Sequence, residues 1–314
     1  MGISSLVNEA DADMKNRMVL DITRMTVHNG PGIRTVISFK GCPLHCVWCS
    51  TPESQRESAE IAYYPGKCIL CRDCILACPK NALVVGPKTV IIDRDLCDNC
   101  GLCVSVCHTE ALKFMGRQYT VAELVDEAER DEVVYKHSGG GVTISGGEPL
   151  LKPKFTLELV KQLKNQGISA GVDTCGYVNR DNVEAVLPYI DFFLWDIKHM
   201  DEITHEKLTG VSNKRILDNL RFTSENGTPI YLRLPVIPGY NDSKENILAV
   251  RDFAQTLSSL VEIDLLPLHH LGQSRYAALG REYPLGGILL NQAEKLNSMR
   301  SLVESMGLKC KIIG

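Results

Sequence analysis

The chain has 314 residues, 34 Lys and Arg against 38 Asp and Glu for a formal charge of -4, and 44% hydrophobic residues. This size exceeds the usual single core and predicts one large domain with an insertion, or two domains. The near-balanced charge gives no electrostatic footprint for nucleic acid, and no run of eighteen apolar residues marks a membrane span, so neither partner is expected.

In chain order, residues 1–17 are polar with no apolar signal core, which predicts a flexible N-terminal extension and a cytoplasmic protein. Residues 35–39, Thr35 to Phe39, read as the first strand. It leads to Cys42, Cys46 and Cys49, at C-x3-C-x2-C spacing. A cubane iron–sulfur cluster takes four protein ligands and this loop offers three, so one iron is left open. An open iron suits a catalyst that binds a ligand there better than an electron carrier. The alternatives are a zinc site or buried structural thiols, but structural zinc takes four closed ligands and no flanking C-x2-C pair with a His completes that set.

Of thirteen cysteines, eleven lie between positions 42 and 107. That clustering fits iron in a reducing compartment better than a disulfide scaffold. Cys68, Cys71, Cys74 and Cys78 form one run and Cys97, Cys100, Cys103 and Cys107 a second, the bacterial two-cluster ferredoxin pattern. In that pattern each run gives its fourth cysteine to the other cluster. Cys68, Cys71, Cys74 and Cys107 are thus expected to hold one 4Fe-4S cluster, and Cys97, Cys100, Cys103 and Cys78 the second. Two zinc knuckles are the competing reading. Short strands are expected near 81–85 and 89–93, about the turn at Gly86 and Pro87. Cys175 and Cys310, outside the runs, read as small buried hydrophobes.

Beyond the insertion, short apolar strands near 141–145, 169–173, 192–196, 230–234 and 262–266 alternate with stretches of helical periodicity at 153–167, 213–227 and 243–257. With the first strand these predict an α/β fold, a partial (βα)6 barrel of parallel strands over 18–53 and 118–314, with a ferredoxin-like α+β module inserted at 54–117. Right-handed crossovers gather the loops after the strands on the carboxyl edge, where every motif is expected to lie. There Gly146, Gly147 and Glu148 precede Pro149; Glu148 is placed to accept from an ammonium group. Asp173 and Thr174, then Asp196, Ile197 and Lys198, end later strands, and His269 follows the sixth. Each of these groups alone also fits a structural turn or a solvated loop.

These features resemble the radical S-adenosylmethionine (SAM) superfamily. More narrowly, the stretch from Asn29 through Gly30, Gly32 and Ile33 to Arg34, with Ser138 to Glu148, Asp173, Asp196, Lys198 and His269, resembles the glycyl radical enzyme activating enzymes, pyruvate formate-lyase activating enzyme among them. The likeness runs from about Val19 to the C-terminus, and the eight-cysteine insertion places it with the subgroup carrying a two-cluster ferredoxin module. The resemblance implies an oxidoreductase that reductively cleaves SAM at the 4Fe-4S cluster of Cys42, Cys46 and Cys49. The resulting 5'-deoxyadenosyl radical would abstract a hydrogen from one glycine of a partner lyase, dehydratase or synthase.

It further implies that Trp48, Cys49 and Ser50 border the adenosyl group, and that Gly146, Gly147 and Glu148 approach the methionyl end. Asp196, Ile197, Lys198 and His269 would line the SAM site, and Asp173 and Asp196 would hold a monovalent cation. Three 4Fe-4S clusters, an external one-electron reductant such as flavodoxin or ferredoxin, and a monomer complete the expectation. The relatives usually carry Asp where Asn29 stands, so a charge facing the partner's glycine loop is missing here. Two other readings remain: radical chemistry on a small molecule or peptide, and an electron-transfer ferredoxin module, which cosubstrate cleavage discriminates.

Overall fold

The computed structural model describes residues 16–313; the expected flexible extension lies, up to residue 15, outside the described residues. β1 (Arg17–Thr26) and β2 (Arg34–Phe39) pair antiparallel. Next come β3 (Glu60–Tyr63), β4 (Leu83–Val85), β5 (Val90–Ile92) and β6 (Leu112–Met115), in two separate antiparallel pairs: β3 with β6, and β4 with β5. The chain then returns to the main sheet through β7 (Arg117–Tyr119), followed by β8 (Gly141–Gly146), β9 (Ser169–Thr174), β10 (Phe192–Asp196), β11 (Ile230–Val236), β12 (Leu260–Pro267) and β13 (Cys310–Ile312).

The sheet order is β13-β12-β11-β10-β9-β8-β2-β1-β7, with every pairing from β2 to β13 parallel and both pairings of β1 antiparallel. It is an open, largely parallel sheet, with β7 and β13 at its ends. All six expected strands are present in chain order. Three more strands join them: β1, whose outer half alternates half-buried and exposed residues, and the three-residue β7 and β13.

Because the strand order climbs steadily, right-handed crossovers put the connecting helices on one face. Period-two alternation then decides the rest. Ile37, Val142, Ile144, Val172, Phe193, Trp195, Leu232 and Ile263 form one continuous core with apolar residues of helices Val121–Glu129, Pro153–Asn165, Arg180–Val186, Lys214–Glu225, Lys244–Ala254 and Ala293–Glu304. Their strand neighbours Thr143, Ser145, Asp173, Asp196, Arg233 and Asp264 fall on the opposite, polar face. Helix Val121–Glu129 starts with a full capping box, Thr120 and Glu123 each bonding the other's backbone N–H.

One expectation changes. The 29–34 motif sits at the amino edge, because it precedes β2 rather than following it, and the crossover rule governs only loops after strands. Arg34 and Gly141 pair at the starts of their strands, and the Ile33 N–H donates to Ser138 Oγ at 3.1 Å. Two glycine turns meet there backbone to backbone: a Cβ on Gly140 would stand 1.8 Å from the Ile33 carbonyl oxygen. Asn29 contributes its carbonyl oxygen to Thr143 Oγ1 at 2.6 Å.

A buried charge network ties the insertion to the main sheet. Lys40, fully buried one residue after β2, donates to the Glu53 carbonyl and lies 3.8 Å from Glu60 of β3. Glu60 also meets Arg281 at 2.5 Å and Arg56 at 3.4 Å, while buried Glu53 pairs with Arg275. Arg94 of the insertion donates to the carbonyls of Ile61 and Ala278. No helix among the described residues is long and apolar enough to cross a membrane.

Candidate functional site

The loop after β2 is fixed from several sides. Gly41 N–H donates to Ser54 O at 2.7 Å and Cys42 N–H to Gln55 O at 3.0 Å, while His45 N–H and Val47 N–H donate to Thr209 O and Leu208 O. Trp48 buries its ring with Leu208, Ile237, Leu268 and Leu285, and its indole N–H is buried with no acceptor among the described residues. Ser50 is exposed, with Gly272 packed against its backbone. Backbone bonds and one aromatic anchor thus hold three thiols in a short loop.

Their electrostatics favour a cationic occupant. Burial pushes the Cys46 thiol up to about 12, against the help of Lys198, and burial also raises Cys49. Cys42 is lowered, first by its hydrogen bond with Cys175. Thiolates that are costly to bury as free anions are held stably once they ligate metal, and iron–sulfur chemistry suits this soft donor set.

The turn after β8 is stapled to that loop. Gly147 N–H donates to Phe39 O at 2.8 Å and Glu148 N–H to Gly41 O at 2.7 Å. A Cβ on Gly147 would meet the Gly41 oxygen at 2.2 Å, and Gly146 has φ +108, so neither position admits a side chain without rearrangement. Glu148 is fully buried and its carboxylate accepts from Thr174 Oγ1 at 2.8 Å, Cys175 N–H at 2.9 Å and Leu150 N–H at 2.9 Å. Burial raises its pKa despite these bonds. The carboxylate expected to meet an ammonium group is therefore already engaged by four protein donors, the Cys175 thiol at 3.0 Å being the fourth, which tie the ends of β8 and β9 together.

Asp173, at the end of β9, accepts from Ser145 Oγ at 2.8 Å and pairs with Arg233 at 3.3 Å. Arg233 stands within β11 and also donates to the His28 carbonyl. Asp196 pairs with Lys198 at 2.9 Å. Burial works against the Lys198 ammonium, but Asp196 and Cys46 outweigh it and its pKa rises. Burial raises Asp173, with Arg233 opposing and Asp196 adding. Ile197 is buried within the core, so only its backbone is open to a ligand. His269 is exposed beyond β12, whereas neighbouring His270 is committed to the Tyr283 hydroxyl and the Ile288 carbonyl.

On the same polar face, Asp264 is 3% exposed, and its Oδ1 has no hydrogen-bond partner among the described residues. Burial pushes its carboxyl up to about 6, against Arg233 and Lys311 and with help from Glu262. The folded protein keeps this proton while the unfolded chain loses it near 3.8, so stability falls as pH rises between 3.8 and about 6, with the full deficit above. Asp264→Asn is expected to raise the denaturation midpoint above the upper value by more than below the lower one. A pH-independent change counts against this account.

In the insertion, one cavity is lined by Cys68, Cys71, Cys74 and Cys107, three thiols of the first run and the last of the second. Burial pushes Cys103 up to about 11, followed by the charges of Cys97, Cys74, Cys100 and Cys78. The two runs share their backbone: Leu70 and Asn99, Arg72 and Gly101, and Asn81 and Glu110 occupy matching positions with φ between +51 and +81. Leu and Arg are rarely held in the left-handed region unless surrounding structure demands it. The paired geometry and the donor set fit two iron–sulfur clusters.

Sequence reasoning missed one polar contact at the site. Cys175, read as a small hydrophobe, is buried but donates its S–H to Glu148 Oε2 at 3.0 Å. Its position directly after Asp173 and Thr174, at a strand's carboxyl end, is the signal that pointed there.

The model of the radical SAM superfamily matches residues 96–250, and that of the 4Fe-4S dicluster domain residues 67–111. The chain is 42% identical to the isethionate sulfite-lyase activating enzyme of Nitratidesulfovibrio vulgaris, across 93% of this chain and 97% of that protein. It is 38% identical to the trans-4-hydroxy-L-proline dehydratase activating enzyme of Clostridioides difficile, across 95% of this chain and 100% of that one. A solved radical SAM methyltransferase from Sphaerobacter thermophilus shares the fold, with TM-score 0.52 over 94% of this chain and 76% of that chain at 14% identity.

Proposed function

The chain belongs to the glycyl radical enzyme activating enzymes of the radical SAM superfamily, and from that premise we propose that it installs a radical on one glycine of a partner lyase, dehydratase or synthase. It is an iron–sulfur, SAM-dependent enzyme whose protein partner is a glycyl radical enzyme. When bound, the open-iron cluster and SAM supply a one-electron cleavage that yields a 5'-deoxyadenosyl radical, which takes the hydrogen.

The rest is this chain's work. Cys42, Cys46 and Cys49 hold the catalytic cluster. The turn at Gly146 and Gly147 offers bare backbone to the methionyl end, and Glu148 keeps that turn rigid. Lys198 brings positive charge beside the cluster loop, and Trp48, Ser50, Ile197 and His269 border the cosubstrate. Residues 18–53 and 118–314 form the catalytic domain, and 54–117 the insertion with two further clusters. The protein acts as a monomer in the cytoplasm, with a one-electron donor of the flavodoxin or ferredoxin type.

One observation carries this reading: the three-thiol loop and the glycine turn are stapled together by backbone bonds at the carboxyl edge of β2 and β8. The test is anaerobic electron paramagnetic resonance of the reduced protein mixed with SAM and a candidate glycyl radical enzyme. A glycine-centred doublet supports it. SAM cleavage without a doublet, across sulfite-lyase, dehydratase and decarboxylase partners, moves the reading to a small-molecule or peptide substrate.

A monovalent cation beside the methionyl carboxylate belongs to the same reading. Asp173 and Asp196 have Arg233 and Lys198 as partners, yet Asp173 stays raised by burial and by its acidic neighbour, so another carboxylate needs added positive charge. SAM cleavage is expected to fall several-fold in cation-depleted buffer and to return with potassium. Equal turnover in both buffers removes the cation from the scheme.

The insertion relays electrons. Replacing Cys68 and Cys97 together is expected to leave the catalytic cluster assembled and one turnover intact, but to slow repeated turnover with a protein reductant. Unchanged repeated turnover rejects the relay.

A further inference from the structure

Three leucines stand out to solvent on the wall of chain that follows β12 at the carboxyl edge: Leu271 at 74%, Leu289 at 83% and Leu290 at 56% exposure. Single exposed leucines are ordinary, but these three are gathered on one fixed feature. His270 accepts from the Tyr283 hydroxyl at 3.0 Å and donates to the Ile288 carbonyl at 2.9 Å, while the Leu268 N–H donates to Asn291 Oδ1 at 2.7 Å. Residues 268–271 and 288–291 are thus held side by side. The inner side of the same wall is core, with Leu268 and Leu285 buried against Trp48 of the cysteine loop and Ile288 packed on them. Gly272, next to Leu271, lies so close to that loop that a Cβ on it would stand 3.3 Å from Ser50 Cα. The wall is anchored inward and apolar outward, beside the loop that carries the three thiols.

We propose that Leu271, Leu289 and Leu290 form a docking surface for the partner glycyl radical enzyme, meeting an apolar patch beside its glycine-bearing loop. This rests on the functional reading above. That reading requires a folded protein to bring one glycine up to the cysteine loop, so the surface around that glycine comes to lie against the wall bordering the loop. A protein reductant has another address, since Cys71 and Cys100 of the insertion are the cysteines exposed to solvent. A second copy of this chain is disfavoured by size: a stable dimer uses roughly 20–30 residues a side, and three leucines have no such extent. The partner needs less from them, because its glycine loop at the cluster is a second point of attachment, and two contacts on one body reinforce each other. Covering the leucines with apolar surface slows dissociation and leaves the chemistry unchanged.

The test uses the fully loaded protein, a chemical reductant and the glycyl radical enzyme on which it raises the doublet, with radical yield followed against partner concentration. With Leu289→Asp and Leu290→Asp together, the KM for the partner is expected to rise about tenfold, while kcat at saturation and SAM cleavage without partner stay within about twofold of wild type. Leu271→Asp is expected to shift KM in the same direction, and Leu289→Met with Leu290→Met, which keeps the patch apolar, to leave it within about twofold. If the double Asp variant loads less iron than wild type, Leu289→Ser and Leu290→Ser singly replace it. An unchanged KM in the charged variants overturns the proposal. So does a defect seen only when a flavodoxin-type protein replaces the chemical reductant, or a wild-type dimer that the Asp variants dissociate in sedimentation. All three leave the activating function standing. A wild-type protein that raises no doublet on any candidate partner overturns both.

Discussion

Cys46→Ala is expected to abolish the glycine radical signal entirely and to remove roughly a third of the bound iron, one cluster of three. Cys46 is the middle ligand of a loop whose backbone is pinned to Thr209 and Leu208 on either side of it, which fixes where its thiol is presented. Its thiol is the one burial pushes up to about 12, with Lys198 the cation that opposes the shift. Water cannot substitute as a soft ligand, and two remaining thiolates do not hold a cubane that must also keep one iron open. Iron analysis, spectroscopy and SAM cleavage separate the outcomes. Loss of radical with the insertion iron retained is the expected pattern; a persisting doublet takes the catalytic role away from this loop.

The second large effect concerns stability. Glu60→Gln is expected to cost about 3–5 kcal/mol, the usual result when one member of a buried charge group is removed and the others stay. Glu60 is the anion that Lys40, Arg56 and Arg281 share, and it is 5% exposed. Without it, the fully buried Lys40 ammonium keeps only the Glu53 carbonyl and a more distant carboxylate. Adding Lys40→Met should return most of the loss, giving a positive coupling in a double-mutant cycle. Denaturation midpoints of the four proteins measure this. A single-variant cost under about 1 kcal/mol would place the network with ordinary surface pairs.

The sequence made the cysteine chemistry legible because ligand spacing is local: Cys42, Cys46 and Cys49 lie in one loop, and each ferredoxin run repeats within itself. The six central strands were legible too, since their core-facing residues recur at period two between helices. β7 and β13 were not, because three residues are too few to show a period. The position of the 29–34 motif was misjudged for a different reason. Its glycines signal close backbone approach but not which edge of the sheet is approached. Cys175 and Lys40 escaped because their partners are distant in sequence; for Cys175 the position at a strand's carboxyl end was a local signal that went unread, and for Lys40 there was none.

The insertion leaves the main sheet after the cysteine loop and returns at β7, the layout of a cassette that a lineage could gain or lose at two points. The charge network gives that history a direction. Glu60 belongs to the cassette and Lys40 to the body of the protein, so loss of the cassette alone would strand an ammonium in the core. A shorter descendant must therefore change position 40 in the same evolutionary episode, whereas an ancestor that never carried the cassette had no reason to place Lys there. Relatives without the module are thus expected to carry an uncharged residue at position 40, whichever way they came to lack it.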